Sequence, residues 1–382
     1  MLTIAILVTS AVLALYYPNL ARWSAILSFL FVNEQLRFEW LPGTVFSWNP
    51  QHPSLAFTFA LLVMTSLVYA RDLKKSVIAM LILFSAGLVG FLGATNPFEL
   101  FFFLELMLFP AFYIILQEDP SAAFKYFGFM QVSSVLVLAG LLGEGKVASI
   151  LLTLGFAIKM GLFPFHSWLP DAHSQAPFQL SALLSGAVVA CGAYGVFRYS
   201  STPELLLPLG IISAIYGAVG ANAEHDIKRL LAYSTVSQMG YAAIALLTSR
   251  EFLVLFLIMH ALAKASLFFT AGELIRNTGM RIIRDIRVDS KTLFLTTLIS
   301  SLSLAGFPPL LGFTTELGIL KSTWAYSKVA GLFFAFTIFP TILYCERLLS
   351  VFFKRSERKL ETALPLIIAL LLLPGVIPWT SS

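Results

Sequence analysis

The chain has 382 residues, of which 58% are hydrophobic and only 12% are charged. Soluble domains carry about 25% charged residues, so this composition excludes an ordinary soluble domain and indicates an integral membrane protein. The net charge of +5 does not require a nucleic-acid partner, because the basic residues lie in short loops between apolar runs.

Apolar runs occur along the whole chain. Because a spanning helix needs about 20 apolar residues, they predict an all-α integral membrane protein with about 14 transmembrane helices. The predicted spans are residues 2–17, 22–33, 53–70, 76–94, 98–117, 122–142, 147–166, 177–199, 203–221, 229–248, 251–275, 292–323, 328–352 and 361–379. The first run lacks a basic segment and a cleavage site, so it is interpreted as a span rather than a signal peptide. No linker separates the runs, which predicts a single polytopic domain over residues 1–382.

Two further features concern the loops. Before the third span, Phe38 and Trp40 precede Pro42-Gly43 and Phe46 and Trp48 follow it, an alternation that predicts a small hairpin. The odd-numbered loops hold most of the Lys and Arg residues, which predicts that these loops are cytoplasmic and that both termini face outward.

Two predicted spans contain helix-breaking residues. The seventh has Gly161 and Pro164, and the twelfth has Gly306 and Pro308-Pro309. The breaks lie five spans apart, and two copies of a five-helix unit must be inverted relative to each other. The sequence therefore predicts a first inverted repeat at 76–199, a second at 203–352, and flanking helices at 1–70 and 361–382. Paired broken helices indicate a transport site, whereas the alternative is two independent proline kinks, which membrane helices tolerate.

Glu105 and Lys159 are charged residues inside apolar spans. A carboxylate at such a position costs about 2.5–3.5 kcal/mol, so we expect it to have a partner. Lys159, two spans further on, is the predicted partner, and separating the two would make the lysine ready to release its proton. The alternative is a static buried ion pair.

His260 and Lys264 lie four residues apart on one face of the eleventh span. Since histidine titrates near neutral pH, this column predicts a proton relay. The alternative is a hydrogen-bonded His260 with a snorkelling Lys264. Glu316 follows the second break and is predicted to line a cavity there; the alternative is a carboxylate at a helix end near the outer surface.

Metal and cofactor sites are not predicted on this chain. Cys191 and Cys345 form no metal-ligand spacing. His166, Asp171 and His173 fit no ligand spacing either, and we expect them to hold the broken helix. Without an iron–sulfur, haem or dinucleotide motif, the chain is not expected to carry electrons itself.

Three segments carry a family resemblance: KMGLFPFHSWLPDAHSQAP (159–177), HDIKRLLAYSTVSQMGY (225–241) and HALAKASLFFTAGEL (260–274). They resemble the signature stretches of antiporter-like subunits, the proton-pumping membrane subunits of respiratory complex I, which have relatives in Mrp-type cation/proton antiporters and membrane-bound hydrogenases. The similarity runs from about Phe98 to Leu320. The family fold, fourteen helices with inverted five-helix repeats, is similar to the one predicted above.

The resemblance implies roles for individual residues. Glu105 matches the family's ion-pair glutamate and Lys159 its partner lysine, while His260 and Lys264 match the central relay. Glu316 matches the terminal site of a branch that has glutamate there. Tyr194 and Lys228 are expected to support the pathway.

One position departs from the family. Where the family usually has lysine or histidine on the eighth helix, this chain has Ala190, beside Cys191. The link from Lys159 to His260 is therefore expected to pass through water, Tyr194 or serines, or to be weaker than in relatives.

The favoured hypothesis is a proton-translocating subunit of a complex-I-like oxidoreductase in a prokaryotic plasma membrane, with sodium as the alternative ion. No active site is expected on this chain. The resemblance implies that any flavin, iron–sulfur or nickel–iron centres belong to partner subunits, and that its partners are other membrane subunits. One alternative is a subunit of an Mrp-type sodium/proton antiporter, and another is a structural subunit that has lost conduction.

Overall fold

The computed structural model describes residues 2–29, 36–41, 44–48, 51–353, 360 and 362–373. The chain divides into two compact units. Unit 1 consists of Met1–Met160 and Gln175–Thr202, and unit 2 consists of Gly161–Ser174 and Pro203–Ser382.

Helices account for most of the described residues. The first half of the chain contains α1 (Leu2–Ala14), α2 (Pro18–Ser28), strands β1 (Leu36–Leu41) and β2 (Thr44–Trp48), α3 (Pro53–Tyr69), α4 (Lys75–Gly93), α5 (Pro97–Leu116), α6 (Pro120–Leu142), α7 (Gly145–Met160), α8 (Trp168–Gln175), α9 (Phe178–Leu183) and α10 (Val189–Tyr199). The second half contains α11 (Leu206–Ala223), α12 (Ile227–Thr248), α13 (Arg250–Thr278), α14 (Lys291–Leu304), α15 (Leu311–Tyr326), α16 (Lys328–Leu349) and α17 (Leu364–Leu370). A π-helical turn, Leu184–Val188, joins α9 to α10, and short 3₁₀ turns occur at Ala70–Asp72, Phe165–Ser167, Pro203–Leu205 and Ser350–Phe352.

Ten helical segments of the described chain are long and apolar enough to cross a membrane, the first being Pro53–Asp72 and the last Lys328–Phe352. The chain is therefore a multi-pass membrane protein, and the count of about 14 spans remains a prediction. Helices α1, α2 and α17 have 13, 11 and 7 residues, short of the roughly 20 needed to span. The predicted second and last spans, 22–33 and 361–379, lie partly outside the described residues.

The predicted hairpin is present. Strands β1 and β2 pair antiparallel, with Phe38 opposite Phe46 and Leu36 opposite Trp48. Pro42 and Gly43, on which the prediction rested, lie outside the described residues.

Side-chain caps and a glycine set several helix ends. The Asn96 side chain accepts a hydrogen bond from the Glu99 backbone N–H at the start of α5, and Asp119 accepts two at the start of α6. Such caps satisfy donors that have no partner within the helix. At the end of α13, Gly279 adopts a left-handed φ of 73° and donates to the Ile275 carbonyl.

Small residues allow close helix packing in unit 2. A Cβ added to Gly217 of α11 would lie 2.3 Å from the Ser237 backbone nitrogen of α12, and one added to Gly240 would lie 2.5 Å from the Ala214 nitrogen. Backbones this close are typical of membrane helices, which associate by van der Waals packing of small residues. The α11–α12 pair is therefore a tightly packed part of unit 2.

Both breaks lie at left-handed glycines. Gly161, with φ of 69°, directly follows α7, and Gly306, with φ of 66°, follows α14. Other L-residues rarely adopt this conformation, and the prolines beyond each glycine cannot continue a regular helix. The predicted seventh span, 147–166, thus covers most of α7 and the break, and α8 lies beyond it. The predicted twelfth span, 292–323, covers most of α14, the break and most of α15.

The second break predicts a severe effect of adding one methyl group. A Cβ at Gly312, near the start of α15, would lie 1.6 Å from the Ser303 carbonyl oxygen of α14. We expect Gly312→Ala to lower the free energy of unfolding by about 3 kcal/mol or more, because overpacking displaces backbone. The measurement is the thermal unfolding temperature of the purified protein in detergent.

Gly128→Ala in α6 is the matched control, because nothing lies within 4 Å of its added Cβ. This change should leave stability unaltered or raise it by up to about 1 kcal/mol, since alanine favours helix. Equal unfolding temperatures for the two variants would contradict the close approach at the second break.

Candidate functional site

Lys159 lies near the end of α7 and is only 2% exposed. Its Nζ lies 3.7 Å from the Met130 Sδ of α6, and a thioether is a weak acceptor. Cys191 of α10 and Glu105 of α5 are close enough for electrostatic interaction with the lysine. The sequence thus places an ammonium group just before a helix break, where the one hydrogen-bond acceptor that meets it among the described residues is a weak one.

Glu105, the predicted partner of Lys159, belongs to the same unit. In the part of the chain that the structure describes, no ion pair of 4.0 Å or less joins the two. The Glu105 Oε1 atom is buried, and none of the described residues forms a hydrogen bond with it. Buried polar atoms normally have a partner, often water. A direct Glu105–Lys159 pair therefore remains a prediction.

In unit 2, Lys264 of α13 is fully buried and is held from α12. Its Nζ donates a short hydrogen bond to the Ser234 hydroxyl and a second, of 3.3 Å, to the Leu231 carbonyl. His260, one turn earlier and also fully buried, stacks on Phe256 with ring centroids 6.2 Å apart. Sequence reasoning missed Ser234, although it lies in the quoted segment 225–241.

Glu316 lies against the second break. It is 4% exposed, and a Cβ at Gly306 would lie 2.6 Å from its Oε2. Its Oε1 is buried and has no hydrogen-bond partner among the described residues. Gln238 of α12 interacts with this carboxylate and donates to the Leu304 carbonyl at 3.2 Å. Sequence reasoning also missed Gln238.

A charged network ties α8 to its neighbours within unit 2. Arg229 donates to Asp171 at 2.8 Å and to Glu224 at 3.0 Å. Arg281, in the loop after α13, donates to Asp226 at 2.8 Å and to the Ser174 carbonyl at 2.7 Å. Asp171 therefore helps to hold the broken helix.

The remaining supporting residues also have defined surroundings. The His166 ring lies 4.7 Å from Tyr216, and His173 stacks on Phe268 at 4.9 Å. Lys228 is 7% exposed at the start of α12, and Tyr194 of α10 is 1% exposed.

One basic residue within a predicted span has a structural role. Arg347 of α16 donates to the carbonyls of Ala221, Asn222 and Glu224 at the end of α11. These carbonyls have no partner within their own helix, and a cation there favours the helix dipole. Arg347 thus caps α11 from a neighbouring helix.

Among the described residues, no three His, Cys, Asp or Glu side chains lie close enough to hold a metal ion.

Comparisons with known proteins agree with the motifs. Residues 142–342 match the family model described as "NADH:quinone oxidoreductase/Mrp antiporter, TM". NADH-quinone oxidoreductase subunit M of Escherichia coli is 30% identical over 329 residues, which cover 72% of this chain and 65% of that protein. The chain thus spans less than two thirds of that relative's length.

Solved structures share the fold. The membrane-bound sulfane sulfur reductase, an archaeal respiratory membrane complex, has a chain with a TM-score of 0.90 and 21% identity, covering 99% of this chain and 76% of that one. Respiratory complex I from Thermus thermophilus with bound NADH has a chain with a TM-score of 0.87 and 24% identity, covering 99% and 95%. At these identities the likeness shows the fold alone.

The network at α8 predicts a measurable coupling. Arg229 and Asp171 are each about one third exposed, so a double-mutant cycle with Arg229→Gln and Asp171→Asn should give a coupling of about 0.5–1 kcal/mol. Thermal unfolding of the four proteins measures it. The matched cycle on Arg276 and Glu273, 4.0 Å apart with Arg276 54% exposed, should give a smaller value, and equal couplings would contradict the assigned network.

His52, just before α3, predicts a pH effect in unit 1. Burial and the nearby Arg198 lower its pKa below the ordinary value, and its ring packs against Tyr194 at 5.7 Å. Its neutral form is therefore favoured in the folded protein. The stability that neutral His52 contributes is fully present above the pKa of a histidine in the unfolded chain, about 6.5. It is lost as the pH falls through the lower pKa of His52 in the folded protein.

We expect the unfolding temperature to fall between about pH 7 and pH 5, and to fall less steeply in His52→Gln. The exposed carboxylates of both proteins titrate alike, so they cancel in the comparison. Parallel curves for the two proteins would show that His52 does not contribute.

Proposed function

Since the chain belongs to the NADH:quinone oxidoreductase/Mrp antiporter family of membrane proteins, we propose that it is a proton-translocating membrane subunit of a complex-I-like oxidoreductase. The observation that carries the proposal is a set of ionisable groups deep inside apolar helices. Lys159, His260, Lys264 and Glu316 are between 0% and 4% exposed. Such groups are costly within a membrane and are typical of proton and ion pathways.

In the proposed pathway, protons pass along Glu105, Lys159, His260, Lys264 and Glu316. Lys159, whose Nζ lies against the thioether of Met130, responds to any change in its distance from Glu105, because an opposite charge favours the protonated lysine. Lys264 is held by two oxygen acceptors of α12, so its position is fixed while its proton can be exchanged through the Ser234 hydroxyl. Glu316 is the terminal acceptor beside the second break.

The energy source lies outside this chain in the proposal. Redox reactions in partner subunits, which hold any flavin, iron–sulfur or nickel–iron centres, change the Glu105–Lys159 interaction and thereby drive the proton onward. The two breaks belong to inverted repeats at 76–199 and 203–352, whose interrupted helices provide the ion sites. We further propose that the odd loops face the cytoplasm and that both termini face outward across a prokaryotic plasma membrane.

The family description also names Mrp antiporters, which suggests a second candidate, a subunit of a sodium/proton antiporter. Gentle purification of the complex from its native membrane distinguishes the two. Co-purifying flavin or iron–sulfur subunits support the oxidoreductase, whereas a set of membrane subunits alone supports the antiporter.

Lys159→Ala tests the pathway itself. Loss of a group that carries the proton should slow proton transfer through this chain by about a hundredfold or more. The measurement is substrate-driven acidification of liposomes that contain the assembled complex, with complex assembly followed separately.

Lys146→Ala is the matched control, because Lys146 lies on the same helix, α7, and is exposed. The complex with Lys146→Ala should pump protons at the rate of the unmodified complex. If Lys159→Ala assembled and pumped normally, the chain would be a structural subunit and the proposed pathway would be wrong.

A further inference from the structure

A cluster of hydroxyl groups, which we call the hydroxyl cluster, occupies one end of the α7–α10 pair in unit 1. Its members are Ser149, Thr153, Ser200 and Thr202, all at most 8% exposed. The Thr153 Oγ1 lies 2.5 Å from Ser200 Oγ and 3.2 Å from Thr202 Oγ1, and the Ser149 Oγ lies 3.2 and 3.0 Å from the same two oxygens. These are hydrogen-bond distances, so the hydroxyls touch one another and leave no room for a metal ion between them.

The hydroxyl cluster reaches the protein surface. Ser201, which is exposed, places its hydroxyl 3.0 Å and its backbone nitrogen 2.8 Å from the Ser149 Oγ. A continuous row of hydrogen bonds therefore runs from Ser201 to Ser149, and from Ser149 through Ser200 or Thr202 to Thr153. Each hydroxyl both donates and accepts, which is the property that a chain of proton transfers requires.

This arrangement differs from the usual one for hydroxyl residues in membrane helices. Thr58, Thr65 and Ser85 of unit 1 donate only to the carbonyl four residues earlier, which satisfies the hydroxyl locally. Thr153 makes that bond to Ser149 as well, yet it also meets hydroxyls from beyond α10. The hydrogen bond to the carbonyl four residues earlier does not explain why Thr153 also contacts these hydroxyls.

Along α7, Phe156 lies between Thr153 of the hydroxyl cluster and Lys159. The two helices run antiparallel. Thr153 faces Ser200, Phe156 faces Gly195, and Met160 faces Gly192. A Cβ at Gly195 would lie 2.3 Å from the Phe156 ring, and one at Gly192 would lie 2.8 Å from the Met160 Cγ. Thr153 and Lys159 are six residues apart, or about 9 Å along the helix, and the fully buried Phe156 occupies that interval.

We infer that the hydroxyl cluster is a second proton access route to Lys159, closed in this structure by Phe156 packed on Gly195. The route opens at the end of unit 1 that carries the predicted outward-facing loops, since Arg198 there donates to the carbonyl of Ala94, at the predicted outward loop between the fourth and fifth spans. The inference rests on the proposed proton role of Lys159 and adds residues that the family motifs do not contain. Displacement of the Phe156 ring admits water between Thr153 and the ammonium group.

The experiment measures passive proton flux and needs no electron donor. The assembled complex is placed in liposomes with a trapped pH-sensitive dye, and a potassium diffusion potential drives protons inward. Phe156→Ala should raise the flux about tenfold, equivalent to lowering the barrier by about 1.4 kcal/mol. Phe156→Leu keeps an apolar group over Gly195, so its passive proton flux should equal that of the unmodified protein.

Thr153 variants test whether the flux uses the hydroxyls. Thr153→Val keeps the shape and removes the hydroxyl, so combining it with Phe156→Ala should abolish the extra flux, whereas Thr153→Ser should preserve it. In the otherwise unmodified complex, Thr153→Val should slow substrate-driven pumping and Thr153→Ser should restore it, which tests the route even if Phe156→Ala fails to assemble. A flux that follows sodium instead of protons would contradict the route.

The outcomes separate this inference from the proposed function. One outcome would contradict only the access route: Lys159→Ala stops pumping, Thr153→Val pumps normally, and Phe156→Ala shows no increase in passive proton flux. If Phe156→Ala conducts protons through the hydroxyls while Lys159→Ala pumps normally, the route exists and the proposed pathway is wrong.

Discussion

A charged group inside an apolar helix must be compensated, and the two units compensate their lysines differently. Lys264 donates to two oxygen atoms of α12, whereas the acceptor that Lys159 meets within the described parts of the chain is a thioether sulfur. An ammonium group with poor acceptors is sensitive to every neighbouring charge or water molecule. Lys159 is therefore sensitive to the position of Glu105.

The helix breaks lie next to two of the buried ionisable groups, Lys159 and Glu316. Backbone that leaves helical geometry within a membrane must line a polar or protein-filled space, because its groups cannot face lipid. The buried Oε1 of Glu316, which lacks a hydrogen-bond partner among the described residues, lies beside one such break. A glycine with left-handed φ at each break allows the turn, and the charged group packs directly against or just before it.

Much of this arrangement could be predicted from residue type and spacing. The breaks at Gly161 and Gly306 follow from local backbone chemistry, the hairpin follows from alternation, and the family match confirms the resemblance of the motifs. Contacts between helices distant in the chain could not be predicted, because periodicity identifies a buried face but not its partner. Ser234 beneath Lys264 and Arg347 capping α11 are examples, and the Glu105–Lys159 pair remains a prediction.

The path of the chain through its two units has a consequence for how the protein can be divided. Unit 2 contains Gly161–Ser174, and unit 1 is completed only by Gln175–Thr202. A cut after Thr202 would separate the two predicted repeats but would remove α8 from the unit that holds it through Asp171. The fragment 203–382 would therefore lack part of its own unit, whereas the fragment 1–202 would contain all of unit 1 together with a segment that belongs to unit 2.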